Sequence, residues 1–122
     1  MSLYVLRNKM PVRAINLMTW AEYIEKANRR VADTTLHVEL EGNVLDHVRV
    51  STVFLGLDHC WDGGEPQLFE TMIFGGLLDQ GQARCATWEQ AEALHEIAVQ
   101  KVKNAHLNIN QQLTIYIAET IK

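Results

Sequence analysis

The chain has 122 residues, 48% hydrophobic and 21% charged, a composition that excludes disordered, collagen-like and fibrous classes. One domain is expected, since domains run to about 100–200 residues, and a chain of this length needs no disulfide or metal to hold it folded. The balance of 11 Lys+Arg against 15 Asp+Glu gives a net charge of −4 and argues against direct, sequence-independent nucleic-acid binding.

Residues 3–6 and 10–13 read as a short β-hairpin turning at Asn8-Lys9, with Pro11 confining the return strand to an edge or to its own start. Thr19 stands three residues before Glu22, the capping-box spacing, and Trp20, Ile24 and Ala27 make an apolar stripe. A helix running to about Arg30 is expected. Leu36, Val38 and Leu40 then alternate with His37, Glu39 and Glu41, and Gly42-Asn43 reads as a hairpin turn. The run from Val48 to Leu55 is apolar on both faces near its end, which predicts a central strand covered on both sides.

A loop is expected over residues 56–66, a strand over 68–74 and a short strand over 82–86. Six of the seven glycines fall between positions 56 and 81, where the backbone needs unusual angles or close approach. Thr87 and Gln90 repeat the capping-box spacing and open a second helix. Ala91, Leu94, Ala98, Val102 and Ala105 form its expected buried stripe, with Glu92, Glu96, Gln100 and Lys103 opposite. In the tail, Leu113, Ile115 and Ile117 alternate as a strand that must be paired, within the protomer or with a neighbouring chain. The expected fold class is α+β: an antiparallel sheet of four to six strands with two helices, in a single domain.

Charge is unevenly placed. The first 30 residues hold six basic side chains against two acidic ones, and residues 43–98 hold nine acidic against two basic. That separation fits self-association between one copy's basic end and another's acidic part, or two solvated faces. No run of 18 apolar residues occurs, and the first ten residues lack a signal peptide's apolar core. No membrane contact and a cytoplasmic setting are expected, with Cys60 and Cys85 as free thiols in no CxxC pair.

Asp58 and His59 in the loop, Glu70 and His95 are the candidates for acid–base or metal chemistry. Their spacing matches no metal motif, HExxH and HxH are absent, and no cofactor is expected. Each also has a structural reading: Asp58 as a cap on backbone amides, His95 as a satisfied core histidine, Glu70 paired with Arg84, Arg49 or a backbone amide. A nucleotide-type anion would need arginines and aromatic surface, for which Arg49, Arg84 and Trp61 are the candidates among several arginines and aromatics. No P-loop, GxGxxG or GxSxG occurs, so nucleophilic catalysis has little support.

The segment Val50-Ser51-Thr52-Val53-Phe54-Leu55-Gly56-Leu57-Asp58-His59, the strand Leu68-Phe69-Glu70-Thr71-Met72-Ile73-Phe74-Gly75-Gly76 and the later Thr87-Trp88-Glu89-Gln90-Ala91 with His95 resemble a group of small phage and prophage proteins. Met18-Thr19-Trp20-Ala21-Glu22 also fits, so the likeness spans most of residues 3–102. The chain departs from the pattern at Trp61-Asp62, Cys85 and Leu94, and neither cysteine belongs to it. The resemblance implies a phage-encoded accessory protein and no particular reaction. The second half is also distantly similar to Thoeris-type anti-defence sponge proteins, oligomers that bind cyclic-ADP-ribose-like signals without cleaving them.

Three functions are therefore expected in competition. The first is a homo-oligomeric binder that sequesters a nucleotide-derived host signal, through Arg84, Arg49, Trp61, Asp58, His59, Glu70 and His95. The second is an inhibitor of a host defence protein complex that presents an acidic surface. The third is a small metal-dependent hydrolase using Asp58, His59, Glu70 and His95, which requires these four to converge. Copies would join through the tail from about residue 107 or through the helices.

Overall fold

A computed structural model describes residues 2–40, 42–60, 62–107 and 113–122. The chain opens with β1 (Tyr4–Arg7) and β2 (Met10–Arg13), an antiparallel hairpin. Its turn is the expected Asn8-Lys9, both at positive φ (52° and 67°), the mirror-image turn whose twist matches the strands. Helix α1 spans Leu17–Lys26. Its N-cap is Asn16, whose side chain accepts from the Thr19 N–H at 2.8 Å, so the helix is capped three residues before the expected Thr19. It also ends earlier than Arg30, since Ala27 is already extended.

Strands β3 (Arg30–Leu40), β4 (Asn43–Phe54), β5 (Phe69–Phe74), β6 (Gln82–Cys85) and β7 (Leu113–Ile121) form one antiparallel sheet in the order β6-β5-β4-β3-β7. Helix α2 (Trp88–Leu107) lies across all five strands on one face. Its capping box closes reciprocally: Gln90 N–H donates to Thr87 Oγ1 at 3.1 Å, and Thr87 N–H donates to Gln90 Oε1 at 3.2 Å. The fold is thus α+β, with two helices and a five-stranded sheet beside a two-stranded one.

The core forms in two clusters on the helix side. One joins Leu36, Val38, Val48, Val50 and Ile73 of the sheet to Ala98, Val99 and Val102 of α2. The other joins Val31, Phe54, Leu68, Phe69 and Cys85 to Ala91, and is roofed by Tyr4, Leu6, Tyr23 and Trp88. The hairpin and α1 therefore cover the end of the sheet that α2's first turn reaches. Trp20 fastens α1 there, donating from Nε1 to the Gly56 carbonyl at 3.0 Å. Gly56 has φ +78°, which favours glycine, and a Cβ on it would stand 2.7 Å from Ile24 Cδ1, so that side chain would have to shift.

Two expectations are corrected. The buried stripe of α2 is Ala91, His95, Ala98, Val99, Val102 and His106, rotated so that both histidines turn inward and Leu94 and Ala105 become half-buried. Strand β4 is central in the sheet, but its second face has no covering layer among the described residues: Val53 and Ser51 are half-buried there, and Arg49 and His47 are exposed. The tail strand pairs with β3 in the same chain, in register from Leu40↔Leu113 to Asp33↔Ile121.

Candidate functional site

The inner face of the sheet carries a row of threonines between the two apolar clusters, Thr34 on β3, Thr52 on β4 and Thr71 on β5, each buried. His95 of α2 lies over that row, 1% exposed. Its Nε2 is 2.8 Å from Thr34 Oγ1 and its Nδ1 is 2.8 Å from Thr52 Oγ1. Thr52 Oγ1 is 2.7 Å from Thr71 Oγ1, and Thr34 Oγ1 is 3.1 Å from Thr120 Oγ1. A neutral imidazole donates once and accepts once, so one hydrogen-bonded chain can run from Thr71 to Thr120 in either sense. Burial lowers the His95 pKa, against smaller opposing effects of Glu96 and Asp33, and holds the ring neutral. His95 is thus a satisfied core histidine, bonded to hydroxyls.

Glu70 points the other way. Neighbouring Thr71 faces the helix, so Glu70 stands on the open face, where Arg84 Nε donates to its Oε2 at 2.8 Å across the β5–β6 pair. Arg49 stands on the same face, bonded through Nε to Asp33 (3.0 Å) and stacked on Phe74 at 5.6 Å. The Asp33 carboxylate raises the Arg49 pKa through this bond. Asp58 spends one oxygen bracing its loop, accepting from the Cys60 and Gln67 amides at 2.8 and 3.1 Å. His59 is half-buried in that loop, its amide donating to the Gln67 carbonyl. Trp61 lies outside the described residues. Cys60 donates to Asp62, which raises the thiol's pKa and lowers that of the carboxyl.

The sheet thus separates Glu70 from His95 and commits Asp58 to backbone. Among the described residues, no three His, Cys, Asp or Glu side chains converge as a metal cluster.

The concave surface lies elsewhere, along edge strand β6. A recess of about 470 Å³ lies between β5, β6, the segment 78–81 and α2. Its floor is apolar, with Ile73, Leu78, Leu94, Ile97 and Ala98, and its rim carries Gln80, Gln82, Asp79 and Lys101. Thr71, the end of the His95 hydroxyl chain, also lines it. A second recess of about 390 Å³ holds Arg84, Gln67, Gln90 and Glu65. Leu94 lines both, so together they make one furrow along β6 and α2. Arg84 Nε is held by Glu70 on the open face of the sheet, so Arg84 meets the second recess from the edge of β6. Of the sequence candidates among the described residues, Arg84 alone lines the furrow. The glutamines and Lys101 carry no motif in the sequence. No protein-family model matches the chain, and no curated protein or solved structure was found similar to it.

Proposed function

We propose that the protein is a non-catalytic binding protein that sequesters a nucleotide-derived ligand in the furrow between β6 and α2. One observation carries this reading: two adjoining recesses that share Leu94, with Lys101 lining one and Arg84 the other. Phosphates need such cations, and a base or sugar needs apolar surface with amide edges, which Gln80, Gln82 and Gln67 supply. The separation of Glu70 from His95 and the use of Asp58 as a loop brace favour binding over hydrolysis. In this reading the protein is a phage accessory factor, the ligand is a cyclic-ADP-ribose-like or cyclic-nucleotide immune signal, and the setting is the host cytoplasm. The sequence resemblance supports that setting.

Thermal-shift and calorimetric screening against cyclic nucleotides and ADP-ribose derivatives tests it, with bound compound released by heat and weighed by mass spectrometry. A stabilising ligand recovered intact supports sequestration. Recovery of fragments makes the protein an enzyme. A second reading, inhibition of a host defence complex, draws on Glu89, Glu92 and Glu96, exposed along one side of α2. Absence of any ligand together with capture of a defence complex would favour it.

Self-association belongs to the same proposal. Strand β7 ends the sheet, is nine residues long, and carries no proline, with no charge before Glu119. Edge strands kept monomeric are shortened, charged or interrupted, as the four-residue β6 with Arg84 is. Antiparallel pairing of β7 with its copy about Tyr116 sets Ile115 of each chain against Ile117 of the other. Light scattering of Ile117→Lys against the parent protein reads this directly: a dimer that becomes a monomer supports it, and a monomeric parent removes it.

A further inference from the structure

We propose that His37 and His47 form a two-imidazole site for a late first-row divalent transition ion, on the open face of the sheet. The two residues are direct cross-strand partners on β3 and β4. Their ring centroids are 4.4 Å apart and nearly perpendicular. Cross-strand partners hold their Cβ atoms about 5 Å apart, a span that two imidazoles can bridge through one metal ion.

The hydrogen bonds around His37 fix which nitrogen is available. Tyr116 gives its hydroxyl proton to Glu39 Oε1 at 2.9 Å. That hydroxyl has one proton, so towards His37 Nδ1, 2.9 Å away, its oxygen can only accept. The proton of neutral His37 is therefore on Nδ1, and the lone pair is on Nε2. Glu39, Tyr116 and His37 form a relay of the kind that holds metal-ligating histidines in one tautomer and orientation. His47 is exposed, so its ring is free to turn towards the same point. The nearest cation along β4 on this face, Arg49, is neutralised by Asp33.

The donor set selects the ion. Two neutral imidazoles suit Cu²⁺, Ni²⁺ and Zn²⁺, with Cu²⁺ bound most tightly, and do not suit Mg²⁺ or Ca²⁺, which need oxygen ligands. No third His, Cys, Asp or Glu completes a cluster among the described residues, so water would fill the remaining positions.

The test is titration of the full chain with Cu²⁺ in a weakly coordinating buffer, read by calorimetry and by electron paramagnetic resonance. One saturable site with hyperfine splitting from two imidazole nitrogens is expected. His47→Gln removes a ligand whose ring makes no hydrogen bond among those resolved, and should weaken binding at least tenfold with an unchanged melting temperature. Tyr116→Phe keeps both ligands but frees the His37 ring, and should weaken binding about tenfold, the usual range for an outer partner being about 10–100-fold. His59→Gln should change nothing. Binding by His47→Gln equal to that of the parent, or loss of the site in His59→Gln, overturns the assignment.

Discussion

His95 Nδ1 and Thr52 Oγ1 lie 2.8 Å apart at the centre of the fold, joining α2 to β4 through a polar rung between two apolar clusters. Replacing the ring with leucine would remove both imidazole bonds and leave the Thr34 and Thr52 hydroxyls only Thr120 and Thr71 as partners. A hydrogen bond contributes about 0.5–1.5 kcal/mol net, so with two lost His95→Leu should lower stability by about 1–3 kcal/mol in urea unfolding. The double change with Thr52→Val should recover part of that loss.

The same ring makes stability depend on pH. Its pKa is lowered in the fold by burial, so the unfolded chain takes up the proton first as pH falls. Stability rises with pH wherever the unfolded state binds more protons. The His95 contribution is therefore complete above the ordinary histidine pKa of about 6.5 and is lost as pH drops below it. Urea midpoints at pH 7.5 and 5.5 should differ in the parent protein, and His95→Gln should narrow the gap.

Gly56 and Gly63 separate backbone strain from packing, because both have φ +78°. A Cβ at Gly63 meets nothing within 4 Å, whereas at Gly56 it meets Ile24 Cδ1 at 2.7 Å and Trp20 Nε1 at 3.1 Å. Gly63→Ala should cost about 1 kcal/mol, the left-handed penalty alone. Gly56→Ala should cost about 2–4 kcal/mol, since Ile24 and Trp20 of α1 must also shift to admit the methyl. Equal costs in chemical denaturation would mean that α1 contributes little to the fold's stability.

Much of the fold was legible wherever the signal is local. The Asn8-Lys9 turn, the Thr87–Gln90 capping box and the alternation in β3 are short-range chemistry, and each appears at its expected place. The start of α1 was misread because Asn16 and Thr19 are both good caps, and the choice depends on where Trp20 must land against Gly56. The double cover expected for β4 came from Val53 and Leu55; Leu55 lies past the strand's end, and Val53 shares its face with Arg49. The polar residues alternating in β3, His37 and Glu39 among them, were the better guide to an open face. The threonine rung was not legible, because Thr34, Thr52 and Thr71 meet only once register is set. The furrow needed the position of α2 over β6, so among the described residues Arg84 was the one candidate legible in advance.

Thr87→Ala breaks one half of the capping box, leaving the Gln90 amide without Oγ1. Loss of an N-cap hydroxyl costs about 1 kcal/mol, and the loss should appear as faster amide exchange in the first turn of α2. Residues over the His95 rung, more than a turn away, should exchange as before.

Arg84 tests whether the furrow's cation serves the ligand or the sheet. Its bridge to Glu70 is partly open to water, with the two side chains 36% and 14% exposed, so solvent screens the pair. Such pairs contribute roughly 0–1 kcal/mol, and Glu70→Gln should barely move the urea midpoint. Arg84→Ala should be almost as mild for the same reason. Binding should respond differently. With the phosphate of a nucleotide held by Arg84, the alanine variant loses a charge-assisted bond, while Glu70→Gln frees the guanidinium and leaves affinity equal or improved. A ligand that binds Arg84→Ala and the parent alike would place its anionic group at Lys101 instead, and Lys101→Ala would then carry the loss.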